Sequence, residues 1–476
     1  MNKEDICYMS ACEMISKIQT QELSSLEITE TIIERIEKIN PSINAFCTPT
    51  FDLAREMAKK ADLSVKEGKK LGSLNGIPLS IKDLMMTEGI KTTFGSKLYE
   101  NFIPTSDDIA VQRLKMAGSV ILGKVNTPEF GHIALTNNKL FGETKTPWDL
   151  DRNSGGSSGG SASAVASGLG PLSLASDGGG SIRIPSSLCG VIGLKTTYGR
   201  IPIGPRIGVA FLTLDHYGPI ARNVEDAALM LNVMKGFHPI DYKSLPDDGI
   251  DYVDALKERP KKLKIGYSTS LGFVKVLDDE VENTVIKSAE KLTKNNWEIE
   301  NAKIKLKRPE LAFSILVSSS IAYDLKNEID ERPYDLSPDL RNIIKAGLTY
   351  QGLDIEKATA HRLKLYEQMH EYFKRYDLLI TPTTPLPAFK VEWDEKGTRF
   401  PSIKNKALSI SSWMSFTYPF NMTGHPAISI PCGWSNKGLP IGMQIVGKRY
   451  DEKTVLQVSK VFEEISPWQD KRPPLT

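Results

Sequence analysis

The segment Asp177-Gly178-Gly179-Gly180-Ser181-Ile182-Arg183-Ile184-Pro185 sets a hydroxyl directly after three glycines. Three residues without Cβ leave the backbone free to adopt positive φ and to approach a ligand closely. Successive N–H groups in such a loop can converge on one point as an anion-binding nest. A hydroxyl beside such a nest combines a nucleophile with a stabiliser for a tetrahedral oxyanion, the two requirements of acyl transfer. Alone, the same residues also fit a tight turn with an incidental serine. A phosphate-binding loop is a third reading, but the pattern G-x-x-x-x-G-K-[ST] is absent and Arg183 is the only adjacent base.

A nucleophilic serine needs a base. None of the six histidines (His132, His216, His238, His361, His370, His425) carries a local motif tying it to a nucleophile. The G-x-S-x-G elbow of the α/β-hydrolases is also missing around Ser181. A histidine triad is therefore disfavoured, and lysine becomes the candidate base.

The elements that must hold these residues read as alternating helices and short apolar strands, hence α/β with a buried sheet. Ser24 and Glu27 form a capping box ahead of Ile28, Ile32, Ile36 and Ile39, with Pro41 expected to stop the helix. Gly76 to Ile81 reads as a turn into a buried strand with Lys82 and Asp83 at its far end, and Ser119 to Gly123 as a second strand after a helix through Val111 and Leu114. From Gly155 to Ser181 the chain is rich in Gly and Ser, a composition typical of flexible linkers. The interruption by Ala162 to Leu174 argues instead for a close-packed helix and strand. Asn223 caps a further helix, and Asp377 to Pro382, Ala427 to Pro431 and Gly442 to Gly447 read as buried strands, the first two closed by prolines. A helix from about 451 to 464 ends the fold. The stretch from about 240 to 375 reads as polar and helical, without a chemical motif.

GGSSGG (Gly155 to Gly160) followed by ASDGGGSIRIPSSLCGVIGLKTTYGR (Ala175 to Arg200) closely resembles the central stretch of the amidase signature family. GIPLSIKD (Gly76 to Asp83), GPIARNVEDAA (Gly218 to Ala228), FTYPFNMTGHPAISIPCGW (Phe416 to Trp434) and GLPIGMQIVG (Gly438 to Gly447) resemble its other blocks, in order. The resemblance runs from about residue 10 to about 465 and is weakest between about 240 and 375. It implies the amidase signature fold, an α/β architecture with a central mixed sheet covered by helices on both faces. It also implies one amidase domain over 1–476, with a core at about 60–235 and 376–465 and a more variable helical substrate cover at about 240–375.

By the same resemblance Ser181 is the nucleophile, Ser157 the relay serine with Ser158 beside it, and Lys82 the base. The family's cis peptide falls at the Gly156–Ser157 link. In that scheme neutral Lys82 takes the Ser181 proton through Ser157 and returns it to the leaving amine, which departs poorly as an anion. The N–H groups of Gly178, Gly179, Gly180 and Ser181 are the expected oxyanion donors. A lysine neutral near pH 7 implies burial, since a free one has a pKa near 10.4. Asp177 and Arg183 are expected to tie down the ends of the glycine loop.

Two members of the family compete. One is a free-standing amidase cutting a carboxylic amide through an acyl-enzyme. The other is the A subunit of a glutamyl/aspartyl-tRNA amidotransferase, which frees ammonia from glutamine. In the latter the loop usually reads D-T-G-G-S-I-R-Q-P, whereas this chain has Gly178 and Ile184 at the Thr and Gln positions, and its Phe416 to Asn421 segment is more apolar. These differences favour the amidase, acting on a substrate with an apolar portion. Trp413, Phe416, Tyr418 and Phe420 read as core rather than pocket lining.

Composition bounds the partners. Among 476 residues, Lys+Arg 60 against Asp+Glu 58 gives +2, with 40% hydrophobic and 25% charged residues. So small a net charge supplies no field for a polyanion, and neither nucleic acid nor membrane is expected as a partner. The expected partner is a small-molecule amide, and a homodimer is compatible with this reading. Five scattered cysteines (Cys7, Cys12, Cys47, Cys189, Cys432) fit a reducing, cytoplasmic setting, with Cys189 and Cys432 as core residues. No metal or cofactor is expected.

Overall fold

The computed structural model describes residues 2–475. Eleven strands form one sheet: β1 (Phe46–Pro49), β2 (Pro78–Lys82), β3 (Val120–Val125), β4 (Leu172–Ser176), β5 (Ile192–Lys195), β6 (Tyr217–Ala221), β7 (Lys264–Tyr267), β8 (Glu298–Asn301), β9 (Leu378–Pro382), β10 (Ala427–Trp434) and β11 (Pro440–Gly447). Their order across the sheet is β1-β3-β2-β4-β6-β5-β10-β11-β9-β7-β8. β3, β2 and β4 run parallel, as do β9, β7 and β8, while antiparallel pairs join the two groups through β6, β5, β10 and β11. The sheet is mixed, as expected.

Both faces are covered. In β9, Leu378 and Ile380 enter one hydrophobic cluster while Leu379, pointing the other way, enters a second. The first cluster includes the helices Ser25–Ile43, Asp279–Lys291 and Glu452–Ile465; the second gathers Glu310–Leu325, Pro338–Thr349 and Gly352–Phe373. Strands buried on both sides are mostly apolar, as in Leu378-Leu379-Ile380 of β9, and their few polar side chains pair with one another inside, as Ser80 of β2 does with Ser173 of β4 at 2.9 Å. No helix among the described residues is long and apolar enough to cross a membrane.

Three local expectations need correction. Pro41 does not stop the first long helix, which continues to Ile43 and closes on Asn44 in the left-handed region at φ 52°. A proline this close to the C-terminus removes only one backbone bond of the ladder. Pro431 does not close its strand either; β10 runs on to Trp434 past a register irregularity between Pro431 and Gly433 that absorbs the missing donor. The stretch from 240 to 375 is not helical throughout, because β7 and β8 lie in it and extend the main sheet.

Candidate active site

β2 and β4 lie side by side in parallel, with Ser80 opposite Ser173 and Ile81 opposite Leu174, so their C-terminal residues Lys82 and Ser176 come out at the same edge. Lys82 is fully buried, and its Nζ lies 2.6 Å from Ser157 Oγ and 3.0 Å from Ser176 Oγ. Burial lowers its pKa from 10.5 to about 7, the carboxylates of Asp215 and Asp177 opposing that fall only in part. The amine is thus available as a base near neutral pH.

Ser157 sits in the loop leading into the helix Gly159–Ala166, and the Gly156–Ser157 peptide is cis. Ser158 joins the two glycine-rich segments: its N–H donates to the Ser181 carbonyl at 3.1 Å and its hydroxyl to the Ser176 carbonyl at 3.2 Å.

Ser181 follows the glycines that leave β4, just ahead of the helix Arg183–Cys189, and only 6% of it is exposed. Its hydroxyl has no hydrogen-bond partner among the described residues, the neighbouring Lys82 amine and Ser158 hydroxyl being bonded to Ser157, Ser176 and the Ser176 carbonyl instead. Lys82 and Ser157 are thus joined by a hydrogen bond, and Ser157 and Ser181 are not. Contacts of this kind commonly close only when substrate is bound.

The loop is held by Asp177 and Arg183, both fully buried. Asp177 accepts from the N–H groups of Gly180 (2.7 Å) and Ile182 (3.1 Å), from Arg183 Nε and Nη2 (2.9 Å each) and from Asn421 Nδ2 (2.8 Å). Burial alone would raise its pKa, but the Arg183 guanidinium overrides this and holds the carboxyl well below the usual range. Arg183 also donates from Nη1 to the Thr417 carbonyl and Gln444 Oε1, and from Nη2 to Asn421 Oδ1.

One expected oxyanion donor is corrected. The Gly180 N–H is already bonded to Asp177, so it does not point at a developing oxyanion. The N–H groups of Gly178, Gly179 and Ser181 have no acceptor among the described residues and remain free for that role. Gly180 still has to be glycine: its φ is +136°, and a Cβ there would lie 2.3 Å from Thr417 Oγ1. Sequence reasoning missed Ser176, Thr417, Asn421 and Gln444. The last three come from segments more than 230 residues away from the loop; they lie in the blocks Phe416 to Trp434 and Gly438 to Gly447 that resemble the family, but no chemical pattern within those blocks singles them out.

Ser181 borders two cavities. The larger, about 960 Å³, is walled mostly by apolar side chains, among them Ile133, Phe273, Val276, Phe313, Val317 and Met414. Helix Glu310–Leu325, in the region expected to cover the substrate, contributes Phe313, which packs close to Gly179. The smaller, about 250 Å³, includes Ser157, Ser176, Gly178 and Asp215. Trp413, Phe416, Tyr418 and Phe420 border neither and are core residues. Cys189 and Cys432 are buried, and burial raises both thiol pKa values, which suits the core role expected of them.

A sequence model of the Amidase family matches residues 27–456. An acylamidase of Rhodococcus erythropolis is 38% identical over 99% of this chain and 98% of its own length. The A subunit of the glutamyl-tRNA(Gln) amidotransferase of Carboxydothermus hydrogenoformans is 37% identical over 99% of this chain and all of its own. Among solved structures, a bacterial aryl acylamidase of the amidase signature family superposes with a TM-score of 0.90 at 29% identity, over 97% of both chains.

Proposed function

The chain belongs to the Amidase family and is an amide hydrolase, and from that premise we propose that it cleaves a carboxylic amide with an apolar acyl portion through an acyl-enzyme on Ser181. The observation that carries this is the buried Lys82 amine within 2.6 Å of Ser157 Oγ, one loop away from an unpartnered Ser181. Neutral Lys82 accepts the Ser157 proton while Ser157 accepts that of Ser181, whose oxygen then attacks the carbonyl carbon. The oxyanion is met by the N–H groups of Gly178, Gly179 and Ser181, each such donor being worth roughly 10²–10³ in rate. Reversal of the relay protonates the amide nitrogen, the C–N bond breaks, and water enters by the same route to release the acid.

Near-equal identity to an acylamidase and to the tRNA amidotransferase component keeps ammonia release from glutamine as a second reading. The apolar side chains of the larger cavity, Phe273, Val276, Phe313, Val317 and Met414 among them, favour an apolar acyl portion over glutamine, with Lys275, Arg308 and Glu310 as the charged groups on the same wall. A panel containing glutamine, an alkyl amide and an aryl anilide decides. Cleavage of the anilide or alkyl amide with Ser181→Ala inactive is expected; turnover of glutamine alone would overturn the amidase reading.

A further inference from the structure

Ser181, Gly131 and Phe211 border both cavities, whereas Ser157 and Ser176, the two hydroxyls bonded to Lys82, border only the smaller. Phe211 stands over the glycine loop, so close that a Cβ on Gly178 would meet its ring at 2.6 Å. Its backbone is fixed from outside: the Asp324 carboxylate accepts from the N–H groups of Val209 (2.9 Å) and Ala210 (2.7 Å). The loop thus forms a partition at the nucleophile.

The proton for the leaving nitrogen comes from Ser157. In the tetrahedral intermediate that nitrogen must face Ser157 while the oxyanion faces the glycine-loop N–H groups, which sends the acyl substituent the other way. Resting on the amide-hydrolase reading above, we propose that the smaller cavity is the subsite for the amine portion of the substrate, and that it selects a small amine carrying a cationic end. About 250 Å³ suits one ring with a short substituent, since roughly 150 Å³ takes a benzene molecule.

The wall chemistry supplies the sign. Asp108, Asp215, Asp324 and Glu328 border this cavity against a single base, Arg206, whose Nη2 is already paired with Asp215 at 3.1 Å. Asp108 accepts the Tyr217 hydroxyl at 2.9 Å and its pKa is pushed up to about 7 by burial, so the negative sign rests chiefly on Asp324 and on Glu328, whose side chain has no partner among the described residues. Phe94, Tyr99 and Phe130 pack together on the same wall, with centroid separations of 5.1, 6.4 and 5.9 Å. Aromatic faces beside carboxylates favour an ammonium group and disfavour a carboxylate.

The test uses the full chain and two matched substrate sets. Decanoyl anilide and N-acetyl-4-decylaniline set bulk on the acyl and amine side respectively while sharing an alkanoyl carbonyl and an aniline leaving group, and the first is expected to be cleaved at least about tenfold faster in kcat/KM. Hexanoyl anilides bearing a para aminomethyl, methyl or carboxylate group are expected to fall in that order, with about tenfold between the cation and the anion. Glu328→Gln should shrink the cation-to-anion ratio several-fold, and Phe211→Ala should admit the bulky amine. A reversed bulk preference, or an anion cleaved as well as the cation, overturns the subsite while leaving the amidase reading intact; no cleavage of any amide sinks both.

Discussion

Lys82→Met replaces a buried amine by an apolar chain of similar length and should change stability in a pH-dependent way. The wild-type amine titrates at about 7 when folded and near 10.5 when unfolded. Below pH 7 both states hold the proton, and the folded protein bears the full cost of a buried ammonium. Between the two values only the unfolded chain still carries it, so raising the pH favours the folded state. Each pH unit inside that window is worth about 1.36 kcal/mol, which gives roughly 3 kcal/mol between pH 7 and 9 and about 5 kcal/mol across the window. The variant loses this dependence. It also leaves the Ser157 and Ser176 hydroxyls without their partner, but that penalty does not vary with pH. Urea unfolding followed by tryptophan fluorescence at pH 6.5 to 9 should therefore show the wild type gaining steadily on Lys82→Met. Amide hydrolysis by the wild type should fall about tenfold per pH unit below 7, with the variant inactive throughout. A stability difference that stays flat from pH 7 to 9 would refute the neutral-lysine argument.

Ser181→Ala should remove nearly all amide hydrolysis, whereas Ser157→Ala should retain a small part of it, read as kcat/KM on an anilide. Gly180→Ala sets a Cβ 2.3 Å from Thr417 Oγ1 at φ +136°, so activity should fall by about 10² or more, the loss expected when oxyanion donors are misaligned. Arg183→Met leaves Asp177 charged and buried without its counter-ion, which should cost about 3–5 kcal/mol in denaturant unfolding.

The chemistry was more legible than its support. Three glycines before Ser181, the GGSSGG segment and a lysine ending an apolar strand are local features, and the strands Pro78–Lys82 and Leu172–Ser176 bring them to one sheet edge. Ser176 gave no signal because a serine ending an apolar strand is ordinary until the parallel neighbour sets an amine beside it. Thr417, Asn421 and Gln444 act on Arg183 across more than 230 residues of chain, a relation that exists only after folding. The strands Lys264–Tyr267 and Glu298–Asn301 escaped for a different reason. Glu298–Asn301 is the last strand of the sheet, and its outer residues are solvated and ion-paired, Lys264 with Glu298 for example, so the apolar pattern that marks interior strands is missing. The aromatic segment from Trp413 to Phe420 was read correctly as core, although Met414 and Ser415 within it face the larger cavity.

The groups expected to make and break bonds stand at the C-terminal ends of interior strands and on a loop whose anchoring arginine is bonded through Nε, Nη1 and Nη2. The walls of the larger cavity are drawn from elsewhere, chiefly Phe273 to Val276, Arg308 to Ser318 and Ala407 to Ser415. Appetite and machinery are therefore written on different stretches of chain. Directed evolution confined to those three stretches can be expected to retune what is accepted without loosening the reactive centre, and grafting them from a relative is the shorter route to a new substrate.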